Sequence, residues 1–204
     1  MLIDHIGASF FPQVIILRVI GRIAFPIFAY CIVAGCLYTR DIRKYLLRLL
    51  VFAIISQPVY VLNVFGRFEY WFHLNIMFTL LFGAFAVYSL MDFRRRWWLL
   101  LPCIAACVFL HLEYGTYGII LIVAFYMLRE KRWLSAVVLT LILALPAIRF
   151  VNGVIKLNYQ GFAVLAAPFI YARTDTKLRL NKYFFYVFYP AHLWVIFAVG
   201  RVLK

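Results

Sequence analysis

Nine apolar stretches, separated by short polar and basic segments, follow one another along the whole chain. About 20 apolar residues are enough for a helix to cross a bilayer. Lipid-exposed backbone groups must be hydrogen-bonded within their own segment, which favours helix. The stretches are Met1–Phe11, Ile23–Tyr38, Leu46–Val64, Leu74–Met91, Trp97–Leu112, Thr116–Leu128, Trp133–Ile148, Leu157–Tyr171 and Tyr183–Val199. The pattern predicts an all-α fold, a polytopic transmembrane helix bundle of about eight or nine membrane segments. It forms a single domain over residues 1–204.

The composition supports a membrane protein and argues against a nucleic-acid-binding protein. Hydrophobic residues make up 67% of the chain and charged residues only 14%, whereas soluble domains are about a quarter charged. The net charge of +14 is carried by short runs between the apolar stretches. Such runs are typical of the cytoplasmic loops of membrane proteins. We therefore expect contact with membrane lipids and no nucleic-acid partner.

Lys and Arg residues are divided unequally between the two sets of loops. One set holds 14 of the 21: Arg40, Arg43, Lys44, Arg48, Arg94, Arg95, Arg96, Arg129, Lys131, Arg132, Arg173, Lys177, Arg179 and Lys182. The other set holds 7: Arg18, Arg22, Arg67, Arg149, Lys156, Arg201 and Lys204. Because the richer side faces the cytoplasm, we expect the first set to be cytoplasmic and the chain to end on the outer side.

The cysteines give no sign of a metal site or a disulfide. Cys31, Cys36, Cys103 and Cys107 all lie in apolar stretches, without a histidine or carboxylate at metal-ligand spacing. We interpret them as small core residues and expect no metal.

Several polar residues fall near the outer end or the middle of predicted segments. They are Asp4, His5, Arg22, Asn75, Glu113 and His192. Ionisable groups inside membrane segments are costly and are therefore candidates for function. His5 would suit a general base if a carboxylate oriented its ring. Each residue also has a structural interpretation: a solvated chain end for Asp4 and His5, an arginine reaching the interface for Arg22, and a packing residue for His192.

A basic stretch precedes the third apolar segment. Arg40, Lys44 and Arg48 are spaced by four, which places them on one face of a helix. A basic face at the cytoplasmic surface binds anionic headgroups or sets topology. It would also suit the phosphates of a cytosolic cofactor.

Six motifs in this order resemble the TraX family over nearly the whole chain. They are DHIG, GRIAFPIFAY, KYLLRLLVFAIISQP, LNIMFTLLFG, EYGTYG and FYVFYPAHL. The resemblance implies a multi-pass membrane acyltransferase of the bacterial inner membrane. It also implies cytosolic acetyl-CoA as acyl donor and an outer amine or hydroxyl acceptor, such as a pilin N-terminus or a glycan. Family members carry further apolar residues before DHIG, so either the start codon is assigned too late or the first helix is clipped.

The segment from His5 to Gly35 is also similar to heparan-α-glucosaminide N-acetyltransferase, in which a histidine of an early helix is the catalytic candidate. The resemblance suggests His5 as general base, with Asp4 or Glu113 orienting it and His192 as a second candidate. Arg22 or Asn75 would stabilise the oxyanion, and the basic face would hold the CoA phosphates. Direct transfer and an acyl-histidine relay both fit these residues. The alternatives to an enzyme are a transporter whose buried charges bind substrate or relay protons, and a non-catalytic membrane assembly subunit.

Overall fold

The computed structural model describes residues 1–145, 148–151, 154–172 and 182–202. Its α-helices are α1 (Leu2–Phe10), α2 (Ile15–Arg22), α3 (Ala24–Tyr38), α4 (Ile42–Val64), α5 (Ile76–Met91), α6 (Phe93–Arg96), α7 (Leu100–Phe109), α8 (Gly115–Met127), α9 (Arg132–Ala144), α10 (Ala167–Tyr171) and α11 (Lys182–Val202). Single-turn or longer 3₁₀ helices cover Phe68–Tyr70, Trp97–Leu99 and Tyr159–Ala166. The predicted helical fold is confirmed in its main part.

Every predicted segment contains a helix, but some bounds were wrong. The hydrophobic pattern did not predict α2, a separate helix that lies between the first two segments and runs almost directly into α3. Helix α7 ends at Phe109 because the chain then pairs as a strand. Likewise α9 ends at Ala144, and Ile148 belongs to a strand rather than to the predicted helix.

Three helical stretches in the described part of the chain are long and apolar enough to cross a membrane. They are Ile15–Tyr38, Ile42–Val64 and Phe184–Val202. The shorter apolar helices have 10–17 residues, below the roughly 20 that span a bilayer. The predicted number of eight or nine spans therefore stays a prediction. Of the basic residues used to orient the chain, Arg173, Lys177, Arg179 and Lys204 lie outside the described residues.

The helices pack around α4 and α5. Helix α11 lies along α4, α5 packs on α4 and α8, and α1 contacts α2 and α11. Close approach depends on small residues, as is usual where lipid supplies no hydrophobic driving force. A side chain at Gly35 would overlap the Tyr45 ring, and one at Gly83 would overlap Ile122. Of the cysteines, Cys36 and Cys103 are buried as predicted, whereas Cys31 is exposed.

Two short strand pairs interrupt the helical fold. Strands β1 (His73–Leu74) and β2 (His111–Leu112) are parallel, with His73 opposite His111. The Glu113 N–H continues this contact by donating to the Leu74 carbonyl at 3.1 Å. The pairing holds the start of α8 against the start of α5. Strands β3 (Ile148–Val151) and β4 (Val154–Leu157) form an antiparallel pair.

The basic face predicted before the third segment is only partly present. Asp41 caps α4 by accepting from the Lys44 N–H at 3.2 Å, so the helix begins at Ile42. Arg40 therefore precedes the helix and does not share its face. The Arg48 guanidinium lies 6.0 Å from the ring centroids of Tyr45 and Tyr186. The stretch is thus an exposed helix start and one half-buried arginine, rather than a continuous basic surface.

Candidate active site

Helices α1 and α2 fold back on each other and bring one carboxylate to two guanidinium groups. The Asp4 carboxylate pairs with Arg18 at 3.1 Å and makes a short ion pair with Arg22. Arg18 also donates to the Asp4 carbonyl at 3.1 Å. The helices come this close because position 21 is glycine: a Cβ there would overlap the Asp4 side chain. The close packing of α1 against α2, which the glycine allows, therefore occurs at the ion pair between Asp4 and Arg22.

Arg22 continues this network to two distant parts of the chain. Its Nη1 donates to the Tyr114 hydroxyl and to the Gln160 side-chain oxygen, both at 3.3 Å. Arg22 is only 7% exposed, so the interpretation of an arginine reaching the interface is wrong. Removing a charged pair from water costs several kcal/mol unless hydrogen bonds compensate. Arg22 has such bonds, which makes this a fixed network.

A cavity of about 280 Å³ lies beside Arg22. Its lining includes Glu113 and Gln160, with Phe25, Tyr114 and Tyr117 as aromatic walls. The rings of Phe25 and Tyr114 are stacked, with centroids 3.7 Å apart. Glu113 lines this cavity and directly precedes Tyr114, the residue that caps α8.

The turn that presents Glu113 and Tyr114 needs a glycine. Gly115 has φ +53° and nothing within 4 Å of a Cβ placed on it. The left-handed region, rather than lack of space, therefore requires glycine at this position. It allows the chain to leave β2 and start α8 at once, with the preceding carboxylate directed to the cavity.

The two buried histidines lie next to each other. The rings of His5 and His192 have centroids 5.3 Å apart, and Tyr189 packs edge-on against His192 at 5.5 Å. A second cavity of about 680 Å³ is lined by His5 together with Asn63, Leu193 and residues of α1 and α11. The solvated chain end proposed for Asp4 and His5 is therefore wrong, because both are buried.

His192 has a defined tautomer. Its Nδ1 lies 2.7 Å from the Phe188 carbonyl oxygen. Because a carbonyl can only accept, Nδ1 carries the proton and Nε2 holds a lone pair in the neutral ring. Nε2 is buried and has no hydrogen-bond partner within the described residues. This arrangement is typical of a histidine held ready to accept a proton.

The Asp4 carboxylate is paired with arginines: its described ion-pair partners are Arg18 and Arg22. A role of Asp4 in orienting or charge-balancing the His5 imidazole stays a prediction. The carboxylate instead fixes the Arg22 guanidinium. Because Asp4 directly precedes His5 on α1, the ion pair also fixes the part of the helix that carries His5.

Asn75 has a structural role that conflicts with oxyanion stabilisation. Its amide donates to the Ala53 carbonyl and to Gln57 at 2.9 and 2.8 Å, and its oxygen caps α5 by accepting from Met77. Gln57 in turn donates to the carbonyls of Trp71 and His73. Asn75 is fully buried, so both amide hydrogens are committed to the fold.

The basic start of α4 lies far from Gln57 and Asn75. Lys44 and Gln57 are separated by 13 helical residues, or about 20 Å at the 1.5 Å rise of a helix. Gln57 contacts the loop that carries β1. Any ligand that touches both regions must therefore extend along most of α4.

Sequence reasoning missed several residues of the cluster. It used Arg18 only for topology, and it did not single out Gln57, Gln160 or Tyr189. Gln57 and Gln160 could have been found, since each is a polar amide within a predicted apolar segment. Nothing in the sequence marks Tyr189, because tyrosine is common throughout this chain.

We call the following residues the polar cluster: Asp4, His5, Arg18, Arg22, Glu113, Tyr114, Gln160, Tyr189 and His192. They come from α1, α2, the start of α8, a 3₁₀ helix and α11. The structure thus defines a helical membrane protein with buried charged and imidazole groups at the meeting point of its helices.

The chain belongs to the TraX family, whose model, described as TraX protein, matches residues 1–200. It is 30% identical over 211 residues to "Probable fimbrial assembly protein FimC, serogroup H1" of Dichelobacter nodosus, covering 92% of this chain and 84% of that protein. It is 33% identical over 88 residues to "Uncharacterized protein RP591" of Rickettsia prowazekii (strain Madrid E), covering 43% and 32%. No solved structure matches this chain.

Proposed function

We propose that this protein is a membrane acyltransferase of the bacterial inner membrane. It moves an acetyl group from cytosolic acetyl-CoA to an amine or hydroxyl on the outer side, such as a pilin N-terminus or a glycan. Membership of the TraX family supports the class of reaction. The FimC relative, named as a probable fimbrial assembly protein, supports a pilin-related acceptor.

The observation that carries the proposal is the pair of buried histidines beside a compensated ion pair. The ring centroids of His5 and His192 lie 5.3 Å apart, and His5 lines a cavity of about 680 Å³. Arg22 is fixed by Asp4, the residue that precedes His5 on α1. Burying two imidazoles and an ion pair does not stabilise a membrane bundle compared with apolar packing. This cost is explained if one of the two imidazoles accepts a proton during the reaction, in a site that holds little water.

In the proposed step His5 accepts a proton from the acceptor, whose nitrogen or oxygen then attacks the thioester carbonyl. A carbon–nitrogen or carbon–oxygen bond forms and the carbon–sulfur bond breaks. CoA leaves as thiolate and takes the proton from the imidazolium, so protons and electrons balance. The His192 ring packs against the His5 ring, with centroids 5.3 Å apart, and so positions it. Arg22 stabilises the negative charge that develops on the carbonyl oxygen.

The donor is held at the other end of α4. Arg40, Lys44 and Arg48 bind the phosphates of CoA at the cytoplasmic surface, although only the latter two share the helix. The separation of about 20 Å from this end to the loop carrying β1 requires an extended donor. The pantetheine arm of CoA, which carries the acyl group, supplies that extension.

The direct test uses purified protein in detergent with acetyl-labelled CoA and a peptide copying a fimbrial subunit's N-terminus. We expect the wild type to consume thioester and label the peptide, whereas His5→Ala does neither. His111→Ala is the matched control, since His111 is exposed and stacks on His73 outside the polar cluster. Equal activity of His5→Ala and wild type, or no thioester consumption by the wild type, would contradict the proposal. Peptide uptake into vesicles without acetylation would support the transporter instead.

The orientation has its own test in a cysteine-free background. Single cysteines at Arg95 and Lys131 should be shielded from an impermeant reagent added outside intact cells, because these loops belong to the more basic side. A cysteine at Arg67, on the other set of loops, should be labelled. Labelling of position 95 from outside would reverse the assignment of the two sides.

A further inference from the structure

We propose that the start of α9 and the end of α10 form a binding site for one anionic phospholipid. Its phosphate lies at Lys131 and Arg132, and its acyl chains lie along the exposed face of α9. A cavity of about 640 Å³ is present there, lined by Glu130, Lys131, Arg132, Trp133, Ala136 and Tyr171. The site shares no residue with the polar cluster, and it does not depend on the proposed reaction.

The polar end of this site carries an excess of positive charge. Glu130 is an acid at the cavity, but Arg129 pairs with it at 3.1 Å. Lys131 and Arg132 are both exposed and line the same cavity. Basic residues at the end of an apolar segment attract anionic lipid headgroups. The charge at this end therefore favours a phosphate as the group that binds.

Arg132 is fixed by one hydrogen bond and keeps further donors. Its Nη2 donates to the Tyr171 carbonyl, which ties the start of α9 to the end of α10. The hydroxyls of Ser135 and Tyr171 lie 2.6 Å apart and join the same two helices. A guanidinium has five N–H donors and binds phosphate through two of them at once. The described bond uses one donor, so Arg132 is held in position with donors left for a phosphate.

An apolar stripe continues from this charged end along α9. Four large apolar side chains recur at a spacing of four, which places them on one face of the helix. They are Trp133, Val137, Leu141 and Leu145, each about half exposed or more. Leu139 and Leu143, on the other side of the helix, are buried in the bundle. The stripe is therefore a surface for acyl chains and not part of the core.

The length of the stripe matches one leaflet of a bilayer. From Trp133 to Leu145 the rise is about 18 Å, at 1.5 Å per residue. The hydrocarbon core is about 30 Å thick, so one leaflet contributes about 15 Å. Tryptophan prefers the headgroup level, and Trp133 directly follows the two cations. A soluble phosphate compound gains nothing from an apolar stripe in the hydrocarbon, so the combination of both features favours a phospholipid.

The experiment compares two double variants with equal loss of charge. Lys131→Gln with Arg132→Gln removes the phosphate-binding end, and Arg94→Gln with Arg95→Gln is the matched control. These control arginines are exposed and belong to α6, which packs on α5. Binding of the first phosphatidylglycerol molecule to the purified full chain is measured by native mass spectrometry. Each basic residue near a membrane surface contributes roughly fivefold in affinity, so we expect about 30-fold weaker binding in the first variant and unchanged binding in the control.

A single variant separates lipid binding from folding. Lys131→Gln leaves the bond between Arg132 and Tyr171 intact, and it should weaken binding of phosphatidylglycerol roughly fivefold. Its thermal midpoint without lipid should equal that of the wild type. A midpoint lowered as in a folding defect, with lipid binding unchanged, would contradict the site.

Three ligands test the chemistry of the site. Phosphatidylcholine, whose headgroup has no net charge, should bind more weakly than phosphatidylglycerol, and glycerol phosphate and CoA should not displace the lipid. Equal loss of binding in the two double variants, or equal affinity for phosphatidylcholine, would reduce the site to general surface contact and overturn it. Displacement by CoA would assign the cavity to a soluble phosphate compound and overturn the lipid.

Discussion

The polar cluster and the start of α4 both carry several charges, but they hold them in opposite ways. In the cluster, Asp4 and Arg22 are 18 residues apart, with side chains 11% and 8% exposed. At the start of α4, Asp41 and Lys44 are three residues apart, with side chains 45% and 76% exposed. The first pair exists only because helices converge, whereas the second forms within one helical turn.

This difference separates function from local structure. An exposed pair one turn apart caps a helix and costs little to form, so it says nothing about chemistry. A buried pair loses the hydration of both ions, and replacement by apolar residues would often stabilise the protein. The buried Asp4–Arg22 pair is thus better explained by what the charges do than by the stability they add.

The largest effect should come from the histidines. We expect His5→Ala to lower the rate of acyl transfer by about 10²–10⁴-fold, the usual contribution of a general base, with CoA binding unchanged. His192→Ala should lower the rate less and also lower the thermal midpoint, because it removes the positioning ring and a helix contact. Steady-state rates and CoA titrations of both variants measure these effects.

The reverse result, with His5 dispensable and His192 essential, would move the base to α11. It would agree with the defined tautomer of His192 and with the lone pair on its Nε2. His111→Ala again serves as control, and its rate should equal that of the wild type. The test is best repeated with any upstream coding sequence included.

Breaking the buried ion pair should have the next largest effect. Arg22→Gln leaves Asp4 without its main partner in a buried position, so we expect a loss of about 3–5 kcal/mol in the free energy of unfolding. Lys44→Gln, the matched change at the exposed pair, should leave stability within experimental scatter. Denaturation in detergent measures both. Equal losses in the two variants would remove the distinction between the regions.

A smaller effect is expected at the basic stretch. Combined replacement of Arg40, Lys44 and Arg48 by glutamine should weaken CoA binding by roughly tenfold, since exposed charge pairs contribute about 0.2–1 kcal/mol each. The difference should grow at low salt, where screening is weak. Titrations at two salt concentrations provide the measurement. Unchanged CoA affinity together with impaired membrane insertion would show that these residues only set topology.

The smallest effect concerns the cap of α4. The Lys44 backbone N–H, which donates to the Asp41 carboxylate, lowers the pKa of that side chain. A lowered pKa in the folded state means that the contribution of Asp41 is present above its ordinary pKa of about 3.9. It is lost as the pH falls through the lower, folded value. The thermal midpoint of Asp41→Asn should therefore lie slightly below wild type at neutral pH and approach it in acid.

The periodicity and composition of the sequence determined the class of protein. Long apolar stretches cannot leave their backbone groups unpaired in lipid, so each stretch contains a helix. The cost of an ionisable group in such a stretch singled out His5, Arg22 and His192 without any structure. Order and spacing of the motifs were enough to indicate the family, because they extend over nearly the whole chain.

Only the tertiary structure decided which of these residues meet. The sequence could not pair Asp4 with arginines of α2 rather than with His5, because the turn between α1 and α2 depends on packing at Gly21. It could not show that the amide of Asn75 is committed to Gln57 and Ala53. The spacing of four placed Arg40 on α4. Asp41 caps that helix, which begins at Ile42 and therefore does not include Arg40. Contacts between distant residues follow from how helices fit together, and a one-dimensional pattern carries periodicity but not that fit.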